Sequence, residues 1–142
     1  MSPTHPLIRR QLAAQACVER FAGRPYEPGS RDCAKLAAHV LHKLNRKVPF
    51  LKGVRWSSEA GGVRALKRLG FDNLLEAVDA TGLSRIAPAA ALVGDILALP
   101  TASSIGALSV AVGNGRVLGF IDGELAATII QPSDYVAAWS VL

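Results

Sequence analysis

The residue best suited to chemistry in this chain is Cys33, which follows Asp32 at the predicted start of a helix. Backbone N–H groups and the helix dipole at such a position lower the pKa of a thiol, and the thiolate is the nucleophile of cysteine hydrolases. The glycine-containing loop at residues 24–30 is expected to leave the sulfur partly accessible. The alternative is that Cys33 is a small apolar residue on a buried helix face, since free cysteine is among the most buried residue types.

A cysteine nucleophile needs a general base within hydrogen-bond reach, and the chain has 3 histidines. His39 and His42 follow Cys33 on the same predicted helix, but the helical period turns them roughly 180–240° away from the sulfur. They are expected to be surface residues, with a metal-binding pair as the alternative. His5 lies in a proline-flanked tail and is expected to have no fixed position. No Cys/His set has zinc-ligand spacing, so the sequence predicts no metal site and no cofactor.

Helices are predicted to position these residues in the first part of the chain, about residues 1–82. The strongest pattern begins at Cys33, where apolar residues recur at i, i+3, i+4, i+7, i+8 and i+11. This helix is predicted over residues 33–47, with Asp32 as its N-cap and Pro49 as its end. Three further helices are predicted at residues 7–21, 57–69 and 73–80, the second capped by Ser57 or Ser58.

Short strands are predicted in the second part of the chain, about residues 90–142. Apolar runs alternate there with turn residues, including hairpin-type turns at residues 113–115 and 122–123. Gly94-Asp95, before the first run, is interpreted as a turn pair. The five predicted strands are residues 95–99, 107–112, 116–121, 125–130 and 136–141. Helices followed by strands predict a single α+β domain over residues 1–142, with the helices packed on a mostly antiparallel sheet.

Composition limits the classes of function open to a chain of 142 residues. Hydrophobic residues make up 50% of it and charged residues 19%, which is typical of a packed domain and excludes a disordered one. No membrane span and no signal peptide are expected, so the protein is predicted to stay in the cytosol or to leave by lysis. The net charge of +5 comes with basic residues interleaved over positions 9–68, which predicts solvated helix faces rather than nucleic-acid binding.

Three segments of the chain, in this order, resemble the NlpC/P60 cell-wall peptidases, and more narrowly a small phage and prophage tail-associated family with that fold. Residues 25–33, Pro-Tyr-Glu-Pro-Gly-Ser-Arg-Asp-Cys, are similar to the Gly-x-x-Asp-Cys run that opens the nucleophile helix. Gly94-Asp95-Ile96 matches a Gly-Asp-Leu start of the sheet. Residues 107–115, Ala-Leu-Ser-Val-Ala-Val-Gly-Asn-Gly, are similar to a His-Val-Gly-Ile-Tyr-Val-Gly-Asn-Gly strand and turn. The resemblance extends from about residue 25 to the end of the chain.

This resemblance implies a papain-like fold with Cys33 at the nucleophile position, and it also implies that the catalytic set is incomplete. The family's general-base histidine falls on Ala107, and the polar residue that orients it, twelve positions later, falls on Gly119. Neither replacement has a side-chain acid or base. Loss of the base predicts a loss of hydrolysis by orders of magnitude.

The sequence leaves three candidate functions for the protein. The leading one is a structural protein of a phage or prophage tail, at the tail tip, with a degenerate peptidase fold. It would be made in the bacterial host cytoplasm and assembled into the virion with other tail-tip or hub proteins. The second is an active cysteine hydrolase that cleaves peptidoglycan peptides during phage entry, with a base from another chain or an unusual residue. The third is a nucleic-acid-binding adaptor, which needs a contiguous basic face. The few charges of the strand half predict that a sheet edge or loop surface meets a partner.

Overall fold

Helices occupy the first half of the chain and strands the second in the computed structural model, which describes residues 5–47 and 55–142. The elements are α1 (Pro6–Phe21), α2 (Cys33–Lys43), α3 (Glu59–Arg68), α4 (Leu74–Asp79), β1 (Arg85–Ile86), a 3₁₀ turn (Pro88–Ala90), β2 (Ile96–Ala98), β3 (Leu108–Gly113), β4 (Arg116–Gly119), β5 (Thr128–Ile130) and β6 (Ala137–Trp139). The predicted α+β class is confirmed. Within the described residues, no helix has the length and apolar character needed to cross a membrane.

The packing of α2 on the sheet is the contact that organises the core. Leu36 and Val40 are fully buried and Leu44 is nearly so, as the helical period predicts. They join one apolar cluster with Ile96 and Val110 from the facing side of the sheet. Burial of an aliphatic side chain of this size contributes about 1.5–3 kcal/mol, so this face contributes strongly to the orientation of α2 on the sheet and of the residue at its start.

The end of α2 differs from the prediction, because the helix stops at Lys43. Asn45 adopts a left-handed conformation with φ of 60°. The N–H of Arg46 then donates to the carbonyl of Leu41 at 2.8 Å, which closes the helix with the backbone pattern usual for such ends. Pro49, the predicted end, lies outside the described residues.

All six strands form one antiparallel sheet in the order β1-β6-β2-β3-β4-β5. The five predicted strands are all present, and their hairpin turn at Asn114-Gly115 has the positive φ at both residues that a tight two-residue turn needs. The sequence missed β1, whose Arg85 pairs with Trp139 of β6. Two residues are too short to show the alternation by which strands are recognised.

Gly94 and Asp95 form a turn, but the interpretation of Asp95 as a turn residue was incomplete. The Asp95 side chain is 1% exposed, and its Oδ1 accepts hydrogen bonds from Arg10 Nη1 at 2.6 Å and from the N–H of Val141 at 2.9 Å. Its Oδ2 accepts from the N–H of Leu92. Gly94 has φ of +90°, and a Cβ there would lie 3.3 Å from the carbonyl oxygen of Arg10. This buried ion pair joins α1 to the turn before β2, and the bond to Val141 extends the connection to the segment after β6.

Candidate functional site

A cleft of about 250 Å³ opens at the start of α2, with Cys33 among its lining residues. Its walls come from residues 101–107 and 120–124, together with Tyr26 and Glu59. The cleft therefore lies where the N-terminus of a helix meets the ends of two neighbouring strands. Ligand and active sites are often found in concave places of this kind.

Asp32 fixes the loop that precedes α2. Its carboxylate accepts hydrogen bonds from the N–H groups of Gly29 at 2.7 Å and Lys35 at 2.9 Å, and from Trp56 Nε1 at 2.8 Å. The helix cap, the preceding loop and the Trp56 ring are thus joined through one buried side chain. The predicted role of Asp32 as N-cap is confirmed, and the position of Cys33 as the first residue of the helix follows from it.

The Cys33 thiol is buried, so the expectation that it is partly accessible was wrong and the alternative, a buried residue on the helix face, is confirmed. The residue is 9% exposed, and its Sγ donates to the carbonyl of Gly106 at 3.7 Å. Burial raises the pKa of Cys33 to about 12, against a weaker lowering by the backbone N–H of Leu108, while the Asp32 carboxylate raises it further. The thiol is therefore neutral at physiological pH, and the pKa-lowering expected at the helix start is outweighed.

Residues 101–106 form a loop over the cleft that is tied down by two carboxylates. Ser103 Oγ hydrogen-bonds to Glu59 at the start of α3. Thr101 Oγ1 donates to Asp122 at 2.9 Å, and the N–H of Ala102 donates to the same carboxylate at 3.2 Å. The Gly106 carbonyl that receives the Cys33 thiol belongs to this loop, so the contacts that fix the loop also fix the sulfur.

Tyr26 brings an aromatic ring to the cleft. Its ring packs edge-to-face on Phe120 at 5.7 Å, and Phe120 packs in the same way on Phe21 at 6.2 Å. Burial raises the pKa of Tyr26 to about 12, and the negative charges of Glu59 and Asp32 raise it further. The phenol is thus a neutral hydrogen-bonding group, and it cannot act as a base near neutral pH.

None of the histidines lines this cleft in the part of the chain that the structure describes. His42 is exposed, as predicted. His39 is only partly exposed, since its ring packs edge-on against Phe21 at 5.7 Å. Burial, followed by the charges of Arg20 and Lys43, lowers the pKa of His39. The expectation for His5 was wrong, because its Nδ1 accepts a hydrogen bond from the N–H of Leu7 and caps α1.

The two positions that replace the expected base and its orienting residue lie in different surroundings. Ala107 is partly exposed and lines the cleft together with Cys33. Gly119 pairs with Ser109 across the β3–β4 ladder. A Cβ at Gly119 would lie 3.2 Å from both Ser109 Cβ and Ile121 Cδ1, so a larger residue there would have to displace its neighbours. A larger side chain can therefore be introduced at position 107, whereas packing leaves no room for one at position 119.

Cys33 and Ala107 line the same cleft, as the family resemblance implied, but the carboxylates beside them were not predicted. Glu59 fell within the predicted helix at residues 57–69 with no role assigned, and Asp122 was assigned only to a turn. Both reach the cleft through contacts with a loop some 20 to 44 residues away in sequence, and no local pattern marks such contacts. Among the described residues, no group of three or more His, Cys, Asp or Glu side chains is arranged to hold a metal ion.

The fold and the cleft define an α+β domain with a buried cysteine at a helix N-terminus beneath an acidic, partly aromatic cleft. The family model described as domain of unknown function (DUF6950) matches residues 6–141, and the chain belongs to that family. No curated protein shows significant similarity to the chain.

Proposed function

We propose that the protein is a non-hydrolytic structural module with a papain-like, NlpC/P60-type fold, and that it serves as a component of a phage or prophage tail. The tail tip, where such a module would contact other tail-tip or hub proteins, is the proposed place of assembly. The protein would be made in the bacterial host cytoplasm and carried in the virion.

The observation that carries the non-hydrolytic part of the proposal is the state of Cys33. A cysteine hydrolase needs a thiolate, or a base that produces one, and a proton donor for the leaving amine. Here burial holds the pKa of Cys33 at about 12, and the described cleft residues include no histidine. Glu59 is engaged with Ser103, and the Tyr26 phenol is neutral, so neither group supplies the missing base.

The tail assignment is supported by the resemblance of the Asp32-Cys33, Gly94-Asp95 and residue 107–115 segments to the phage family. A geometric observation adds support to the proposal: Cys33 begins the helix that packs on β3, and Ala107 directly precedes β3. A domain that keeps such an arrangement without its base is suited to use as a scaffold.

The second candidate is a cysteine hydrolase that acts on peptidoglycan peptides. The observation in its favour is the cleft itself, which remains open beside the nucleophile position. In this case a neighbouring subunit would have to place a base beside Ala107, and the assembled particle rather than the isolated chain would carry the activity.

Two preparations separate these functions: purified virions, and purified protein tested on peptidoglycan. The proposal predicts that the chain is found in intact virions and that neither sample releases new amino groups through Cys33. Particles that carry Cys33→Ala should assemble and infect like the wild type. Absence of the chain from virions would contradict the tail assignment. Cell-wall cleavage by wild-type particles that is lost in Cys33→Ala particles would establish the hydrolase instead.

A further inference from the structure

A second groove, separate from the Cys33 cleft, follows α1 along its length. On α1 it is lined by a stripe of five residues at i, i+4, i+7, i+8 and i+11, two of which are polar: Leu7, Gln11, Ala14, Gln15 and Val18. The opposite wall is formed by Leu92, Val93, residues 112–114, Arg116 and Ile129 of β5. The stripe is about 16 Å long from its spacing, which corresponds to three helical turns, and the groove volume is about 530 Å³. We call this the α1 groove.

The α1 groove exposes large aliphatic side chains on both walls. Leu7 is 55% exposed, Leu92 50% and Ile129 42%. Single exposed aliphatic residues are common on soluble proteins, but apolar residues that face one another across a concave surface mark interaction sites. Ile8 and Leu12, at 51% and 63% exposure, extend the apolar surface over the outer side of α1.

The position of Ile129 indicates what kind of element is missing. Ile129 pairs with Leu118, so both side chains lie on the same face of the sheet. Leu118 belongs to the core that α1 and α2 cover, whereas Ile129, one strand further out, is left open. The helical layer therefore stops at α1, while the sheet face continues to β5. A helix placed beside α1, at the usual 8–10 Å between axes, would complete the layer.

Charge selects among helices that could lie there. Arg116 is the charged residue in the lining of the α1 groove, and within the described part of the chain it forms no ion pair. The negative charge of Glu19 lies further along α1, outside the groove lining, and its carboxylate accepts a hydrogen bond from Gln15. The net charge of +5 adds a long-range attraction for acidic partners.

We propose that the α1 groove binds an amphipathic helix of a partner protein, with an apolar stripe that packs between Leu7, Leu92 and Ile129 and a carboxylate that pairs with Arg116. This mode of binding, a helix that lays its apolar face in a groove, does not depend on the chemistry of the Cys33 cleft. The proposed binding of a helix is therefore tested independently of the proposed tail function.

The test uses the full chain and three fluorescein-labelled, alanine-based 18-residue peptides. The first has leucines at i, i+4, i+7 and i+11 and glutamates beside this stripe. The second has lysine in place of glutamate, and the third has the glutamates and a central proline that breaks the helix. Fluorescence anisotropy should show about fivefold tighter binding of the glutamate peptide than of the lysine peptide, and Arg116→Glu should reverse the order.

Matched variants locate the site. Leu92→Ser and Ile129→Thr should each weaken binding of the glutamate peptide about fivefold or more, whereas Leu69→Ser, at an equally exposed leucine on another face, should leave it unchanged. Equal binding of the proline peptide, no charge preference, or no binding of any peptide would overturn the proposal. A last experiment measures the oligomeric state of the chain alone by sedimentation. A dimer that Ile129→Thr abolishes would assign the groove to a second copy and would also overturn it.

Discussion

Two opposite effects act on the pKa of the Cys33 thiol, and the larger one determines whether the thiol is ionised. The dipole of a helix N-terminus stabilises a thiolate by about 0.3–1 kcal/mol at an exposed site. Burial acts against it and moves the pKa of Cys33 from 9.0 to about 12, a difference worth about 4 kcal/mol. Position at a helix start is therefore a weak predictor of reactivity when the sulfur lies beneath a loop.

A histidine at position 107 tests whether a base in the cleft raises the reactivity of Cys33. Ala107→His places an imidazole in the same cleft as the sulfur, and an imidazolium beside a thiol favours the thiolate. We expect alkylation of Cys33 by iodoacetamide at pH 7.5 to become about tenfold faster or more. Rates would be measured by mass spectrometry in a Cys17→Ala background.

The matched control for this variant is Leu125→His, which adds the same group at an 88% exposed position outside the cleft lining. It should leave the alkylation rate unchanged. If Ala107→His folds and the rate stays at the wild-type value, the match between Ala107 and the family's base position is wrong. Gly119, closed in by Ser109 and Ile121, gives the new imidazole no orienting partner, so hydrolysis is not expected to return.

At the scale of elements, the ion pair between Arg10 and Asp95 joins α1 to the sheet. Both side chains are almost fully buried, at 6% and 1% exposure. Removal of one partner leaves an uncompensated buried charge, so Arg10→Met should lower the free energy of unfolding by about 3–5 kcal/mol. Urea denaturation would measure the change.

The same measurement on Asp95→Asn, on the double variant and on a surface variant of α1 separates the effect of the ion pair from that of the helix. Arg10→Met/Asp95→Asn should be less destabilised than the sum of the two single variants, because no isolated charge remains. Arg20→Met, on the exposed side of α1, should change stability by at most about 0.5 kcal/mol. Additive effects of the two buried substitutions would show that Arg10 and Asp95 do not act as a pair.

The elements show what the sequence can predict and where it stops. The face of α2 and the hairpin at Asn114-Gly115 were predicted because their signals are local, namely a period of 3.6 and a turn that needs positive φ. The Arg10–Asp95 pair was missed because it joins residues 85 positions apart. The burial of Cys33 was left open for the same reason, since Gly106, whose carbonyl accepts from its thiol, lies 73 positions from it in sequence. Long-range contacts of this kind follow from packing and not from any window of sequence.

At the scale of the whole molecule, the two buried thiols make stability depend on alkaline pH. The pKa values of Cys17 and Cys33 are both raised from 9.0 to about 12, mainly by burial. The stabilisation is fully present below pH 9, where both states carry neutral thiols. Above pH 9 the unfolded chain releases protons first, so stability falls towards pH 12 by up to about 1.4 kcal/mol per pH unit for each thiol.

Urea denaturation between pH 8 and 10.5 measures this dependence. Cys17→Ala/Cys33→Ala should show a smaller loss of stability over the range than the wild type, while other ionisable groups contribute equally to both proteins. Identical slopes would show that the thiols ionise alike in the folded and unfolded states, and thus that Cys33 is not shielded from water.

Two separate surfaces give the molecule its proposed character: an inert cleft above Cys33 and the α1 groove for a partner helix. The carboxylates of Asp32, Glu59 and Asp122 make internal hydrogen bonds around the cleft. In the groove, Arg116 forms no ion pair among the described residues, and three aliphatic side chains are 42–55% exposed. The proposed structural role of the chain is based on this difference.

The pH dependence of Cys33 alkylation tests the central claim most directly. With the Cys17→Ala protein, kept folded as judged by circular dichroism, the rate constant with iodoacetamide would be measured from pH 6 to pH 9.5. A neutral thiol with a pKa of about 12 predicts rates well below those of free cysteine, which rise with pH and reach no plateau in this range. A plateau at or below pH 7, with rates equal to or above those of free cysteine, would show an activated thiolate and contradict the account.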